Sequence, residues 1–131
     1  MLTLVTAAHR NPAGLRSMYA DLAAGLDDAL QWRIQDSGAC PETRQWASRL
    51  DHPAIRFRSE PDRGIYEALN RALDGLRTPY YLVVGTDDAV DVVALRAIVD
   101  ELSALPTPGP DILTFPVRVG RGVRRRQPWW P

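Results

Sequence analysis

Hydrophobic and polar residues along the chain follow two periodic patterns, one typical of strands and one typical of helices. Apolar runs or strict apolar–polar alternation predict five short strands, because such segments fit one or both faces of a sheet. A continuous apolar run after a proline, as in the fourth segment, is typical of a central parallel strand. The predicted strands cover residues 2–6, 32–36, 55–59, 80–84 and 112–117.

Helical spacing of apolar residues, three and four positions apart, fills the segments between these strands. The first helix is predicted to begin after Asn11, an N-cap residue, with Pro12 at its first helical position. A short helix is predicted over 42–50, and a helix with Asp62 as its N-cap follows the third strand. A last helical face recurs within 95–102.

The order of predicted elements is strand, helix, strand, short helix, strand, helix, strand, helix, strand. Such alternation predicts an α/β fold with a mostly parallel sheet and helices on both faces, as in Rossmann-like proteins. With 131 residues, the chain has the length of one domain. We expect that domain to cover residues 1–117, followed by a basic, tryptophan-ending tail over 118–131.

The basic residues exclude several classes of protein. All 16 are arginines, and a chain without lysine can be neither a P-loop nucleotidase nor a Schiff-base enzyme. A receiver-like signalling domain is also excluded, because it needs an acidic pair after its first strand and a lysine after its fifth. This chain has Ala7 and Ala8 after its first predicted strand.

Positive and negative charges are distributed unevenly along the chain, although the net charge is zero. Residues 118–126 hold five arginines and no acid, and Trp129 and Trp130 follow. Such a tail leaves contact with an anionic membrane surface or with nucleic acid open as alternatives. The rest of the sequence predicts a cytoplasmic protein, because it has no signal-peptide pattern, no membrane-spanning apolar run and only one cysteine, Cys40.

Acidic residues follow three of the predicted strands. Asp36 ends the second strand, Asp62 comes just after the third, and Asp87 and Asp88 follow the fourth. Each could simply shape a turn or cap a helix. However, the carboxyl ends of parallel strands lie at one edge of a sheet, where ligands bind. Carboxylates gathered there repel each other unless a cation or hydrogen-bond donors lie between them, and aspartate oxygens suit Mg²⁺ or Mn²⁺.

The segment from Ser59 to Asn70, Ser-Glu-Pro-Asp-Arg-Gly-Ile-Tyr-Glu-Ala-Leu-Asn, carries the most specific motif. Together with the later Asp87-Asp88 turn, it resembles the donor-binding half of the family 2 glycosyltransferases of GT-A fold. The resemblance extends from residue 2 to about residue 90. It implies an inverting transferase that moves a sugar from a nucleotide-diphospho sugar to a hydroxyl acceptor, with Mg²⁺ or Mn²⁺ as cofactor.

The resemblance also implies roles for particular residues. A glycan or a lipid-linked molecule would be the acceptor, in keeping with polysaccharide biosynthesis. Asp87 and Asp88 would hold the metal ion, and Asp87 would also meet the ribose. The other implied contacts to the nucleotide sugar come from Thr6, Asp36, Asp62, Arg63 and Gly64.

Some positions depart from the family pattern. His9 and Arg10 replace the usual tyrosine and asparagine, and Gly85 and Thr86 replace more polar residues before the acidic pair. No carboxylate follows Asp111, so the sequence identifies no catalytic base. A noncatalytic or truncated module that binds a sugar nucleotide is therefore the alternative. We expect no nucleic-acid partner, and a homodimer stays open.

Overall fold

The computed structural model describes residues 1–119 and 122–124 of the chain. Six strands and four α-helices form in this part, with a single 3₁₀ turn, Ala23–Gly25, after the first helix. The strands are β1 (Leu2–Ala8), β2 (Leu30–Asp36), β3 (Ile55–Ser59), β4 (Tyr80–Val83), β5 (Val117–Val119) and β6 (Gly122–Arg124). The helices are α1 (Pro12–Leu22), α2 (Pro41–Ala47), α3 (Ile65–Leu73) and α4 (Val92–Ser103).

Four of the strands form one parallel sheet in the order β3-β2-β1-β4. Leu2 is in register with Leu30 on one side and with Tyr80 on the other. The connections between these strands carry helices, as parallel neighbours require. The predicted α/β fold with a mostly parallel, Rossmann-like sheet is therefore confirmed.

The main hydrophobic core lies on the face of the sheet that α1 and α4 cover. Every second residue of β1 and β2 points into it, including Leu4 and Trp32, both fully buried. Apolar residues three and four apart on α1 and α4 complete this core: Leu15, Met18, Leu22, Leu95, Val99 and Leu102. The cap that starts α1 forms as predicted, because the Asn11 side chain accepts a hydrogen bond from the Gly14 amide.

The opposite face of the sheet is covered by α3, which contacts β1 and β2. The helix packs through two alanines, Ala68 and Ala72, which are 2% and 4% exposed. Because these side chains are small, α3 sits close to the sheet. It leaves the neighbouring surface of β3 uncovered, so that the arginines of β3 on this face are exposed.

The position of β4 corrects the prediction of a central strand. In the described part of the chain, β4 pairs only with β1 and forms an edge of the sheet. Tyr81, Leu82 and Val83 are 53%, 41% and 46% exposed, respectively. The apolar run correctly predicted a parallel strand, but apolar composition alone could not show whether a second neighbour would pair with it.

The predicted fifth strand over 112–117 is also corrected. Residues 112–116 form no strand, and Ile112 is 81% exposed. Instead, β5 begins at Val117 and pairs antiparallel with β6. Pro116 has no N–H group for a ladder, which disfavours a strand through this segment. The expected domain boundary at 117 stays a prediction.

Candidate functional site at the carboxyl edge of the sheet

Side-chain hydrogen bonds link the segments that follow the four parallel strands. Asn11, after β1, donates to the Thr86 hydroxyl after β4, at 3.0 Å. His9 Nδ1 and the Ser37 hydroxyl lie 2.8 Å apart, which joins the segments after β1 and β2. A third bond, between Asp36 and Ser59, joins the ends of β2 and β3. The carboxyl edge is thus one continuous, hydrogen-bonded polar surface.

Asp36 is a buried acidic residue just beneath this surface, with no exposed area. Its Oδ2 atom accepts hydrogen bonds from the Ser59 hydroxyl, at 2.8 Å, and from the Gly38 amide, at 3.0 Å. Its Oδ1 atom is buried and has no partner among the described residues. A buried acceptor without a donor is costly in a folded protein, so such an atom is a candidate for contact with a ligand N–H group.

Thr6 lies beneath this surface and does not line it. Its side chain is fully buried, and its hydroxyl accepts a hydrogen bond of 3.0 Å from the Trp32 indole. Thr6 belongs to the face of the sheet that carries the main core. The structure therefore gives Thr6 a core partner, and the nucleoside contact that the resemblance implies stays untested.

The turn with Asp62, Arg63 and Gly64 follows β3 and precedes α3. Asp62 was predicted to cap α3, but the N-cap is Gly64, whose φ of +133° strongly favours glycine. The Asp62 carboxylate instead accepts a hydrogen bond of 3.0 Å from the Gly64 amide. Glu67 accepts one from the Arg63 amide, much as in a capping box. The prediction failed because two residues separate Asp62 from the first helical residue.

Asp87 and Asp88 are exposed in the turn after β4. Asp88 Oδ2 accepts a hydrogen bond of 2.7 Å from the Gly85 amide. A side chain at Gly85 would begin 2.9 Å from Asp87 Oδ1 and 3.2 Å from Asp88 Oδ2. The two carboxylates thus approach the same side of Gly85, and a Cβ at this position would require these exposed side chains to shift.

This pair of carboxylates fits a hard divalent cation in chemistry, since Mg²⁺ and Mn²⁺ prefer oxygen ligands. In residues 1–119 and 122–124, no group of three or more histidine, cysteine, aspartate or glutamate residues could hold a metal ion. An ion at Asp87 and Asp88 would therefore need further ligands from a substrate or from water, as is usual for Mg²⁺ at phosphates.

Sequence reasoning missed two residues that organise this edge. Ser59 was identified as the end of a strand and the first residue of the motif, and Asn11 as a helix cap, but neither was predicted to join neighbouring turns as it does. Their signal was positional, because a polar residue at the end of a parallel strand necessarily lies on this edge.

No helix among the described residues is both long and apolar enough to cross a membrane.

Comparisons with known proteins bear on the fold of the chain. No protein-family model and no curated protein sequence matches it. Among solved structures, it is similar to the crystal structure of S. aureus TarS 1-349, with a TM-score of 0.60 and 14% sequence identity. The likeness covers 78% of this chain and 32% of the TarS chain. The chain therefore spans about a third of that structure and shares its fold over most of its own length.

Proposed function

We propose that this chain binds a nucleotide-diphospho sugar at the carboxyl edge of its sheet, as the donor-binding part of a glycosyltransferase. The observation that carries the proposal is the buried Asp36 carboxylate, held by Ser59 and Gly38 with one oxygen left without a partner. Because this oxygen is buried, a nucleobase would donate a hydrogen bond to it only after the turn that follows β2 moves aside. The fold likeness to TarS, which is a glycosyltransferase, supports the same class.

The diphosphate and the metal ion belong at the other end of the same surface. Asp87 and Asp88 would hold Mg²⁺ or Mn²⁺, which neutralises charge on a departing diphosphate. The chain's own contribution is the Gly85 turn, which brings the two carboxylates together. Asp62, Arg63 and Gly64, which follow β3, would line the nucleoside pocket on the side of Asp36 that faces away from Asp87 and Asp88.

Transfer to an acceptor hydroxyl with inversion is the reaction proposed from the family resemblance. It needs a general base to take the proton of the attacking hydroxyl. The sequence identifies no such residue, so the proposal assigns donor binding to this chain and leaves the base unassigned. A noncatalytic sugar-nucleotide-binding module is the second candidate, because the same carboxyl edge would serve it.

A thermal-shift screen of nucleoside diphosphates with Mn²⁺ tests the proposal. A ligand that binds only the folded state at about 100 times its Kd adds about 2.7 kcal/mol of stability, which raises the Tm by several degrees. We expect one nucleoside diphosphate to give such a shift, and Asp36→Asn to remove most of it. The matched control is Asp28→Asn, an exposed residue away from the edge, which should keep the wild-type shift. No shift with any nucleotide would contradict the proposal.

A further inference from the structure

A cavity of about 560 Å³ lies between α3 and the uncovered part of the sheet, away from Asp87 and Asp88. This volume is in the range of small-molecule sites. Its lining includes five arginines and one carboxylate, that of Asp74. We call it the arginine groove and define it by Arg33, Gln35, Arg56, Arg58, Arg71 and Arg77.

The register of the sheet places positive charges side by side in this groove. Arg33 on β2 is directly opposite Arg56 on β3, and Gln35 is opposite Arg58. Like charges directly opposite each other destabilise a sheet. Burial of the Arg33 guanidinium, and then the charges of Arg56 and Arg58, lower the pKa of Arg33. The groove therefore has an excess of positive charge that an anion would relieve.

Arg33 is fixed in place by the end of α3. Its guanidinium donates to the carbonyls of Ala72, Asp74 and Gly75 at 2.8 to 3.0 Å. These bonds satisfy carbonyl groups at the C-terminus of the helix. The Nε atom of Arg33 is buried and has no partner among the described residues. Arg33 is thus held at the base of the groove by three hydrogen bonds, and its Nε–H group is left without an acceptor.

The other arginines differ in their partners. Arg58 and Arg71 both form ion pairs with Glu60, at 2.9 and 3.6 Å, and Arg71 also pairs with Glu67 at 3.0 Å. Arg56 and Arg77 form no ion pair with any described side chain, and both are exposed. Two guanidinium groups at the mouth of the groove are therefore available to a ligand without first breaking a contact within the protein.

Gln35 supplies an independent observation that points to a polar ligand. Its side chain lines the cavity and is 1% exposed, and its Nε2 atom has no hydrogen-bond partner among the described residues. A buried amide donor without an acceptor destabilises a folded protein. An anionic oxygen in the groove would accept the hydrogen bond that the protein does not satisfy.

We propose that the arginine groove binds a polyphosphate anion, with Arg56 and Arg77 contacting its phosphate oxygens and Gln35 donating to it from the wall. Guanidinium groups match phosphate oxygens in geometry and charge. A chain of phosphates suits the groove better than a single phosphate, because Arg56 and Arg58 alone are about 6.6 Å apart along β3. The site stands independently of the proposed donor site and needs no metal ion.

Calorimetric titration of the full chain with inorganic tripolyphosphate in EDTA tests this proposal. Arg56→Gln combined with Arg77→Gln should weaken the Kd about tenfold or more. Gln35→Leu, close in volume, should weaken it severalfold without lowering the Tm. Two controls should keep the wild-type Kd: Arg49→Gln, an exposed arginine that does not line the groove, and Arg125→Gln with Arg126→Gln in the basic tail.

A second arm with adenosine triphosphate distinguishes the source of the phosphates. Tighter binding than tripolyphosphate, with the same loss in the groove variants, supports a nucleotide, and equal binding supports the phosphate chain alone. The proposal is overturned if tripolyphosphate does not bind or if its Kd is unchanged in the Arg56 and Arg77 double variant or in Gln35→Leu. It is also overturned if only the tail variant loses binding.

Discussion

The hydroxyl of Ser59 donates a hydrogen bond of 2.8 Å to Oδ2 of Asp36, which joins the ends of two neighbouring parallel strands. A backbone bond of 3.0 Å from the Glu60 amide to the Asp36 carbonyl reinforces the junction. Together they fix a buried carboxylate at the edge of the sheet where open α/β folds bind ligands. The Ser-Glu-Pro-Asp turn thus positions Asp36 as well as providing candidate ligand contacts of its own.

Thr6→Val should destabilise the protein without affecting nucleotide binding. The substitution leaves the Trp32 indole N–H buried without its acceptor, which costs about 1–3 kcal/mol of unfolding free energy. Urea unfolding measures this loss. Thr3→Val is the matched control, because its partner Thr78 also bonds to the Tyr80 carbonyl and the loss should be smaller. Preserved stability with lost nucleotide binding would instead place Thr6 in the ligand site.

Gly85→Ala should weaken metal-dependent nucleotide binding while the protein stays folded. The new Cβ would meet the carboxylates of both Asp87 and Asp88, so these exposed side chains would have to move apart. We expect about tenfold weaker affinity in Mn²⁺, equivalent to about 1.4 kcal/mol, and a Tm within a few degrees of the wild type. Calorimetry in Mn²⁺ and in EDTA measures the effect. Unchanged affinity in Mn²⁺ would show that the two carboxylates do not act together.

Asp27 should contribute stability that depends on pH. A hydrogen bond from Arg96 lowers the pKa of Asp27 below its ordinary value of 3.8; the amides of Ala29 and Leu30 act in the same direction, while burial opposes them. Because the pKa is lower in the folded state, this stabilisation is present above about pH 4 and is lost as the pH falls through the folded-state pKa.

Urea unfolding of Asp27→Asn and of the wild type at several pH values checks this expectation. The variant should be less stable at pH 7, and the difference should shrink below about pH 4. Asp28→Asn is the matched control, because its side chain forms no ion pair with the described residues. A stability difference that stays constant down to pH 2 would contradict the role of the Asp27–Arg96 pair.

The sequence predicted the positions of the helices and strands better than it predicted which strands pair with each other. Asn11 and Pro12 define the start of α1, and the Asp36 and Ser59 strand ends are placed correctly, because these signals are local. The edge position of β4 was missed, because strand order depends on contacts distant in sequence. The helix cap at Gly64 was missed because an aspartate two residues earlier satisfies the same local rule.

The candidate site was predicted only in part, for a related reason. Strand ends show which residues share an edge, so Asp36, Asp87 and Asp88 could be placed there from the sequence. The direction of each side chain depends on the register of the sheet. Register turns Thr6 toward Trp32 in the core, and it aligns Arg33 with Arg56 in a groove that no motif indicated.

The dependence of nucleotide binding on a divalent ion tests the central claim most directly. The measurement is calorimetric titration of uridine and guanosine diphosphate into the wild type, Asp88→Asn and Asp91→Asn, each in Mn²⁺ and in EDTA. Asp91 caps α4 by accepting hydrogen bonds from the amides of Val93 and Ala94, and asparagine can also serve as a cap. Asp91→Asn therefore removes a negative charge close to the site but leaves the proposed metal ligands Asp87 and Asp88 in place.

We predict at least tenfold tighter binding of one nucleotide in Mn²⁺ for the wild type and Asp91→Asn. Asp88→Asn should lose this gain and keep its Tm, because an exposed turn carboxylate contributes little to stability. Equal affinity in Mn²⁺ and in EDTA for the wild type would contradict a metal-assisted nucleotide-sugar site at this edge.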